Sequence, residues 1–145
     1  MSKFFTSQLH ENIIIFTVIK NSPTREEWDI AKKNILDWYN YLENENMKAG
    51  LVFNLLELVY INPNYLNEWK ELFINNKERT KNNIIASAII IDNSIIRHVV
   101  NLFFQMYSSI RPMRIVENIE AATNFINENT NHVSEIKHLP DNNSF

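Results

Sequence analysis

The chain contains no cysteine. Disulfides, thiolate chemistry and cysteine-based zinc sites are therefore excluded. It has a single glycine, Gly50, so a glycine-rich loop that cradles phosphate cannot be built. No apolar run approaches the ~20 residues of a membrane-spanning helix. Basic residues are not in excess: 14 Lys and Arg stand against 17 Asp and Glu, a net charge of −3. The two signs are interspersed, whereas a nucleic-acid surface needs a clustered positive field. The opening residues MSKFFTSQLHEN lack the apolar stretch of a signal peptide, and a cytoplasmic location is the expectation.

What is present suits one ordinary domain. The 145 residues are 45% hydrophobic and 21% charged, a composition that folds around a real core. Lys3–Leu9 and Asn12–Ile19 read as two strands joined by a tight turn at His10-Glu11-Asn12. Thr24 and Glu27 form a capping box that opens a helix with Trp28, Ala31, Ile35, Trp38, Tyr39 and Leu42 on one face. Ala49–Leu58 is a third strand, apolar enough to be covered on both sides. A second helix runs from Asn62 to Asn83, with Pro63 in its first turn and Leu66, Trp69, Leu72 and Phe73 inward. Lys77, Arg79 and Lys81 crowd its end, where cations offset the helix dipole.

Ile84–Ile91 is a fourth strand. A third helix follows, with Asp92, Asn93 or Ser94 as its cap. Arg111–Val116 is a fifth strand. Asn118–Glu128 is a last helix carrying Ile119, Ala122, Phe125 and Ile126 inward, and a polar tail follows from Asn129. The order ββαβαβαβα predicts an α/β fold: a single small, mostly parallel sheet with an antiparallel edge hairpin and right-handed crossovers.

The strand-end segment LVFNLLELVYINPNYL, the strand-to-helix run ASAIIIDNSIIRHVVNLFFQMY and the ending RPMRIVENIEAATNFI together resemble a STAS domain. That is the fold of anti-sigma-factor antagonists and of the cytosolic ends of sulfate transporters. The resemblance covers about Phe4 to Asn129, so that residues 1–129 read as a STAS-like domain and 130–145 as its polar C-terminal tail. It implies a regulatory protein-interaction module. It also implies a switch: family members carry a serine or threonine, phosphorylated by a partner kinase, in the turn after the third strand. Here that turn is Asn62-Pro63-Asn64-Tyr65, with Asn64 roughly at the phosphoacceptor position. An amide is not a phosphoacceptor, so the switch is expected to be absent.

Ligands of open parallel sheets meet the carboxyl ends of the strands. Asn62, Asn64 and Tyr65 stand at one such end, Asp92 and Ser94 at another, and these are candidate partner contacts. Ser94 is an alternative phosphoacceptor, although a helix-capping serine is the commoner case. The third helix adds a further candidate surface. Ile95 to Tyr107 supply apolar side chains over roughly 200° at ~100° per residue, where about 100° is enough to rest on a sheet. Packing within the chain is one reading of the surplus. The other is an interface for a protein partner or a second copy, a homodimer, led by Ile96, Val100, Phe104 and Tyr107.

Catalysis is not expected. His10, His98, His132 and His138 are scattered, and HVSEIKH lacks the i, i+4 spacing of a zinc helix. Arg97, Arg111 and Arg114 are three cations that would bind an anion if they converged. No cofactor and no metal are expected. The leading expectation is a non-catalytic interaction module. The alternative is a carrier of a small apolar ligand or lipid, with a pocket beneath the third helix, a property of the larger CRAL-TRIO domains that share the pattern loosely.

Overall fold

The structure is a computed structural model. It describes residues 3–106 and 110–142, with side chains over 3–102 and 110–130. Among the described residues five segments become strands: β1 Phe5–His10, β2 Ile13–Val18, β3 Ala49–Asn54, β4 Ile84–Ile90 and β5 Met113–Val116. They lie side by side in chain order. β1 is antiparallel to β2, and β2 to β5 are parallel. The predicted edge hairpin and parallel sheet are therefore both present. Glu11, in the hairpin turn, takes a positive φ of 57°.

Parallel neighbours in sequential order, joined by right-handed crossovers, must place every crossover on one face. The helices obey this. α1 Arg25–Asn44, α2 Pro63–Asn75 and α4 Ser94–Met106 share a core with Ile14, Phe16, Leu51, Phe53 and Ile89 of the sheet. The opposite face is left to α5, Ile119–Asn142, whose Ala122, Phe125 and Ile126 pack on Val52, Ala88 and Ile90. β4, central and covered on both sides, is buried throughout, whereas the edge strand β1 alternates half-buried and exposed. The lone glycine has a use here. A Cβ on Gly50 would lie 2.4 Å from Cγ2 of Ile126, so any side chain here would have to displace Ile126 of α5.

Three element boundaries and the burial of one residue differ most from the sequence pattern. The predicted helix over Asn62–Asn83 is two helices, α2 and the short α3 Lys77–Asn83. The break is at Asn76, whose φ of −115° is not helical and whose side-chain amide donates to the Leu72 carbonyl. This bend lets Arg79 reach Glu43 and Asn40 on α1, while Thr80 Oγ1 and Tyr39 Oη share a buried 2.7 Å hydrogen bond. β3 ends at Asn54 rather than Leu58, because the Asn54 side chain accepts from Leu56 N and turns the chain. Ile119 is exposed rather than inward, since it lies in the first turn of α5 beyond the sheet contact. The helix then runs past Glu128 to Asn142. Asn129 and Thr130 donate back to the Phe125 and Ile126 carbonyls and keep the turn helical, and no glycine or proline intervenes before Pro140.

Candidate functional site

Residues 55–62 form a loop over the carboxyl end of the sheet. Leu55 N donates to the Ile90 carbonyl, and Leu58 N donates to that of Leu55. Val59 N and Tyr60 N both donate to the Asn21 carbonyl, at 2.8 and 3.2 Å. Pinned at both ends, the loop inserts Leu58 and Ile61 into the core and leaves Leu56, Val59 and Tyr60 outside, Tyr60 at 60% exposure. Ile95, in the first turn of α4, is 68% exposed. β3 and β4 are parallel neighbours, so the loop and the start of α4 rise from the same end of the sheet. The result is a rim of apolar side chains around the N-termini of α2 and α4.

The sequence-predicted residues take specific positions on this rim. Asn62 caps α2: its Oδ1 accepts from Asn64 N at 2.9 Å, and Pro63 opens the first turn. Asn64 itself is exposed. Tyr65 is half-buried, stacked on Trp28 with ring centroids 5.7 Å apart and covered by the Arg25 guanidinium. Its carbonyl accepts from Trp28 Nε1, so Tyr65 ties α2 to α1. Asp92 and Ser94 are exposed. The cap of α4 is Asn93, whose Oδ1 accepts from Ile95 N and Ile96 N at 2.8 and 3.2 Å.

The third-helix surface needs correction. Ile96 and Val100 are 1% and 4% exposed. They point into the core against the sheet and cannot meet a partner. Among the described side chains of α4, the large apolar ones that face outward are Ile95 and Leu102. The Phe104 side chain and Tyr107 lie outside the described residues. The three arginines do not converge. Arg97 donates to the Ile91 carbonyl, Arg111 to that of Lys81, and Arg114 lies over Phe125 on the α5 side. Among the described residues, no three His, Asp or Glu side chains gather as a metal site would require.

Beneath the rim lies an apolar cavity of about 90 Å³. Its floor is Phe16, Phe53 and Ile89 of the sheet, its roof is Trp28, Trp69 and Ile96, and the loop residues Leu55, Leu58 and Ile61 close it. Phe16 and Phe53 stack at 5.1 Å, and Trp69 meets both Phe53 and Trp28 edge-on or tilted. This aromatic cluster was not read from the sequence. Its signal was there: Tyr65, Trp69 and Phe73 recur every four residues along one face of α2.

No charged side chain lines the cavity among the described residues. Glu68 accepts hydrogen bonds from Arg25 and Lys32, which hold its carboxyl down to about 2. That network joins α1 to α2 outside the core.

No family model matches the sequence, and no curated protein matches it. The structure is similar to the crystal structure of an uncharacterized protein of the DUF3478 family with a SpoIIAA-like fold, from Shewanella loihica PV-4. The TM-score is 0.57 at 10% identity, over 84% of this chain and 91% of that one. At that identity the likeness speaks for the fold alone. Among the described residues no helix is long and apolar enough to cross a membrane. The chain has a SpoIIAA-like, that is STAS-like, fold.

Proposed function

We propose that the chain is a non-catalytic protein-interaction module that docks a partner on the strand-end rim. The observation that supports it is the clustering of Leu56, Val59, Tyr60 and Ile95, all exposed, around two helix N-termini. Exposed apolar groups gathered on one face mark interaction sites more often than scattered ones. The loop that carries three of them is held by main-chain bonds to Asn21 and Ile90, so the surface is preformed and little ordering cost falls on docking. The turn at Asn62–Tyr65 carries no serine or threonine, and its one hydroxyl belongs to Tyr65, whose ring is stacked on Trp28 beneath the Arg25 guanidinium. Docking here is constitutive with respect to that turn.

A second reading, a carrier of a small apolar molecule, rests on the cavity. Its volume limits the cargo. Drug-sized ligands occupy roughly 300–1,000 Å³, so about 90 Å³ takes a single ring or a short branched chain, not a lipid. This ranks the interaction module first.

The test is the size of the native assembly. Tagged chain purified gently from its own host is expected in a complex heavier than one or two copies. Val59→Asp with Tyr60→Asp is expected to release it without changing the circular dichroism. A wild-type chain eluting with no partner under every growth condition contradicts the proposal.

A further inference from the structure

A second surface lies at the free edge of the sheet. β1 is an edge strand. Ile19 N donates to the Phe4 carbonyl, and Phe5 is in register with Val18. In an antiparallel ladder, bonded and non-bonded pairs alternate. Thr6, Gln8 and His10 therefore bond to β2, while the N–H and C=O groups of Phe5, Ser7 and Leu9 point away from the sheet. Such an edge is a template for another strand. Beside it runs a groove of about 380 Å³ between β1 and α1, lined by Phe5, Ser7, Ile30 and Asn34 among others. Asn34 Oδ1 is buried there with no hydrogen-bond partner, an acceptor that lacks a donor. Along the same side of α1 lie Trp38, whose Nε1 donates to Ser7 Oγ, and the exposed Ile30 and Tyr41.

We propose that β1 pairs antiparallel with β1 of a second copy, about a two-fold axis at Ser7, to make one continuous sheet across a dimer. Pairing must keep like faces together, because successive side chains alternate. With the axis at Ser7, Ser7 faces its own copy, Phe5 faces Leu9 and Thr6 faces Gln8. The half-buried Phe5 and Leu9 then pair on the helical side, and polar residues pair on the other. All three outward-facing residues of each strand exchange bonds. Two-folds centred on Phe5 or Leu9 leave some of them unused.

Charge selects the same register. Lys3 and Glu11 flank β1, are exposed, and form no ion pair among the described residues. The axis at Ser7 brings Lys3 of each copy opposite Glu11 of the other, twice per dimer. The α1 stripes meet across the same axis and cover Ile30 and Tyr41. This dimer does not depend on the strand-end rim, which lies on the loops at the carboxyl end of the parallel strands.

The experiment is sedimentation analysis of the full chain and its variants across concentration. The wild type is expected to be a dimer. Ser7→Pro removes an outward N–H at the axis that the monomer does not use, a change edge strands tolerate, and is expected to give monomer. Ser7→Ala loses the same hydroxyl but keeps the N–H and is expected to remain dimeric. Lys3→Glu is expected to raise the dissociation constant about tenfold, as two like-charge cross-strand pairs replace two attractive ones. Adding Glu11→Lys is expected to restore it. A wild type that is monomeric up to about 1 mM overturns the proposal. So does a dimer indifferent to Ser7→Pro, or a charge swap that fails to recover.

Discussion

Ala31 lines the cavity from α1 and is buried, so Ala31→Leu directs three added carbons toward empty space. The cavity of about 90 Å³, at about 24 cal/mol per Å³, corresponds to about 2 kcal/mol of lost packing. Three buried methylene-sized groups at about 0.8 kcal/mol each supply a similar sum. Ordering the leucine side chain takes back about 0.5–1 kcal/mol. The expected outcome is a stabilisation of about 1–2 kcal/mol, which for a chain of 145 residues is a Tm rise of about 3–6 °C. Urea unfolding followed by the fluorescence of Trp28 and Trp69, both on the cavity wall, measures it. The same signal reports ligand entry: benzene is expected to perturb it in the wild type and not in Ala31→Leu. A loss of more than about 1 kcal/mol, the signature of overpacking, would refute the reasoning, because it would mean that the side chains already fill this space.

Gly50→Ala places a methyl group against Ile126 and is expected to cost about 1–3 kcal/mol. Combined with Ile126→Ala, whose own cost is about 2–5 kcal/mol, it should cost little more, and a double-mutant cycle by urea unfolding measures that coupling. The Glu68 carboxyl lies near 2 against an ordinary 4.5, chiefly through the hydrogen bond from Arg25. A depressed carboxylate contributes stability above its unfolded pKa and loses it as pH falls through the folded value. Unfolding from pH 5 down to 2 should therefore weaken the wild type more than Glu68→Gln, and added salt should shrink the difference because the network is half-exposed. Asn93→Ala removes the side-chain cap of α4 and is expected to cost about 0.5–2 kcal/mol, with faster hydrogen exchange confined to the first turn of that helix.

The fold was legible where local rules decide it. Thr24 and Glu27 announce the start of α1, and the capping box is formed in full. The continuous apolar runs at Ile13, Ala49 and Ile84 announce strands covered on both faces. Parallel order and one-sided crossovers then follow from connection rules. The site was less legible, because it depends on which part of an apolar arc meets the sheet. Ile95 and Ile96 are chemically identical neighbours, yet one is outside and the other in the core. Only the packing angle of α4 separates them. The loop from Leu55 to Asn62 misleads for a related reason. Its apolar residues Leu58 and Ile61 look like a strand continuing, but they enter the core from a turn made by the Asn54 side chain. The bend at Asn76 is made by an asparagine whose side chain donates back to the Leu72 carbonyl, with no glycine or proline to announce it.

A working surface at the strand-end rim has one consequence in the cell: a partner bound there touches Tyr60 and Ile95 together. The measurement that tests this most directly is site-specific photo-crosslinking in the native host, with the reactive group placed at Tyr60, at Ile95, and at Lys33 on the exposed side of α1. One shared protein adduct is expected from Tyr60 and Ile95 and is expected to be absent from Lys33. Adducts that are the same from all three positions, or none from the rim, would contradict it.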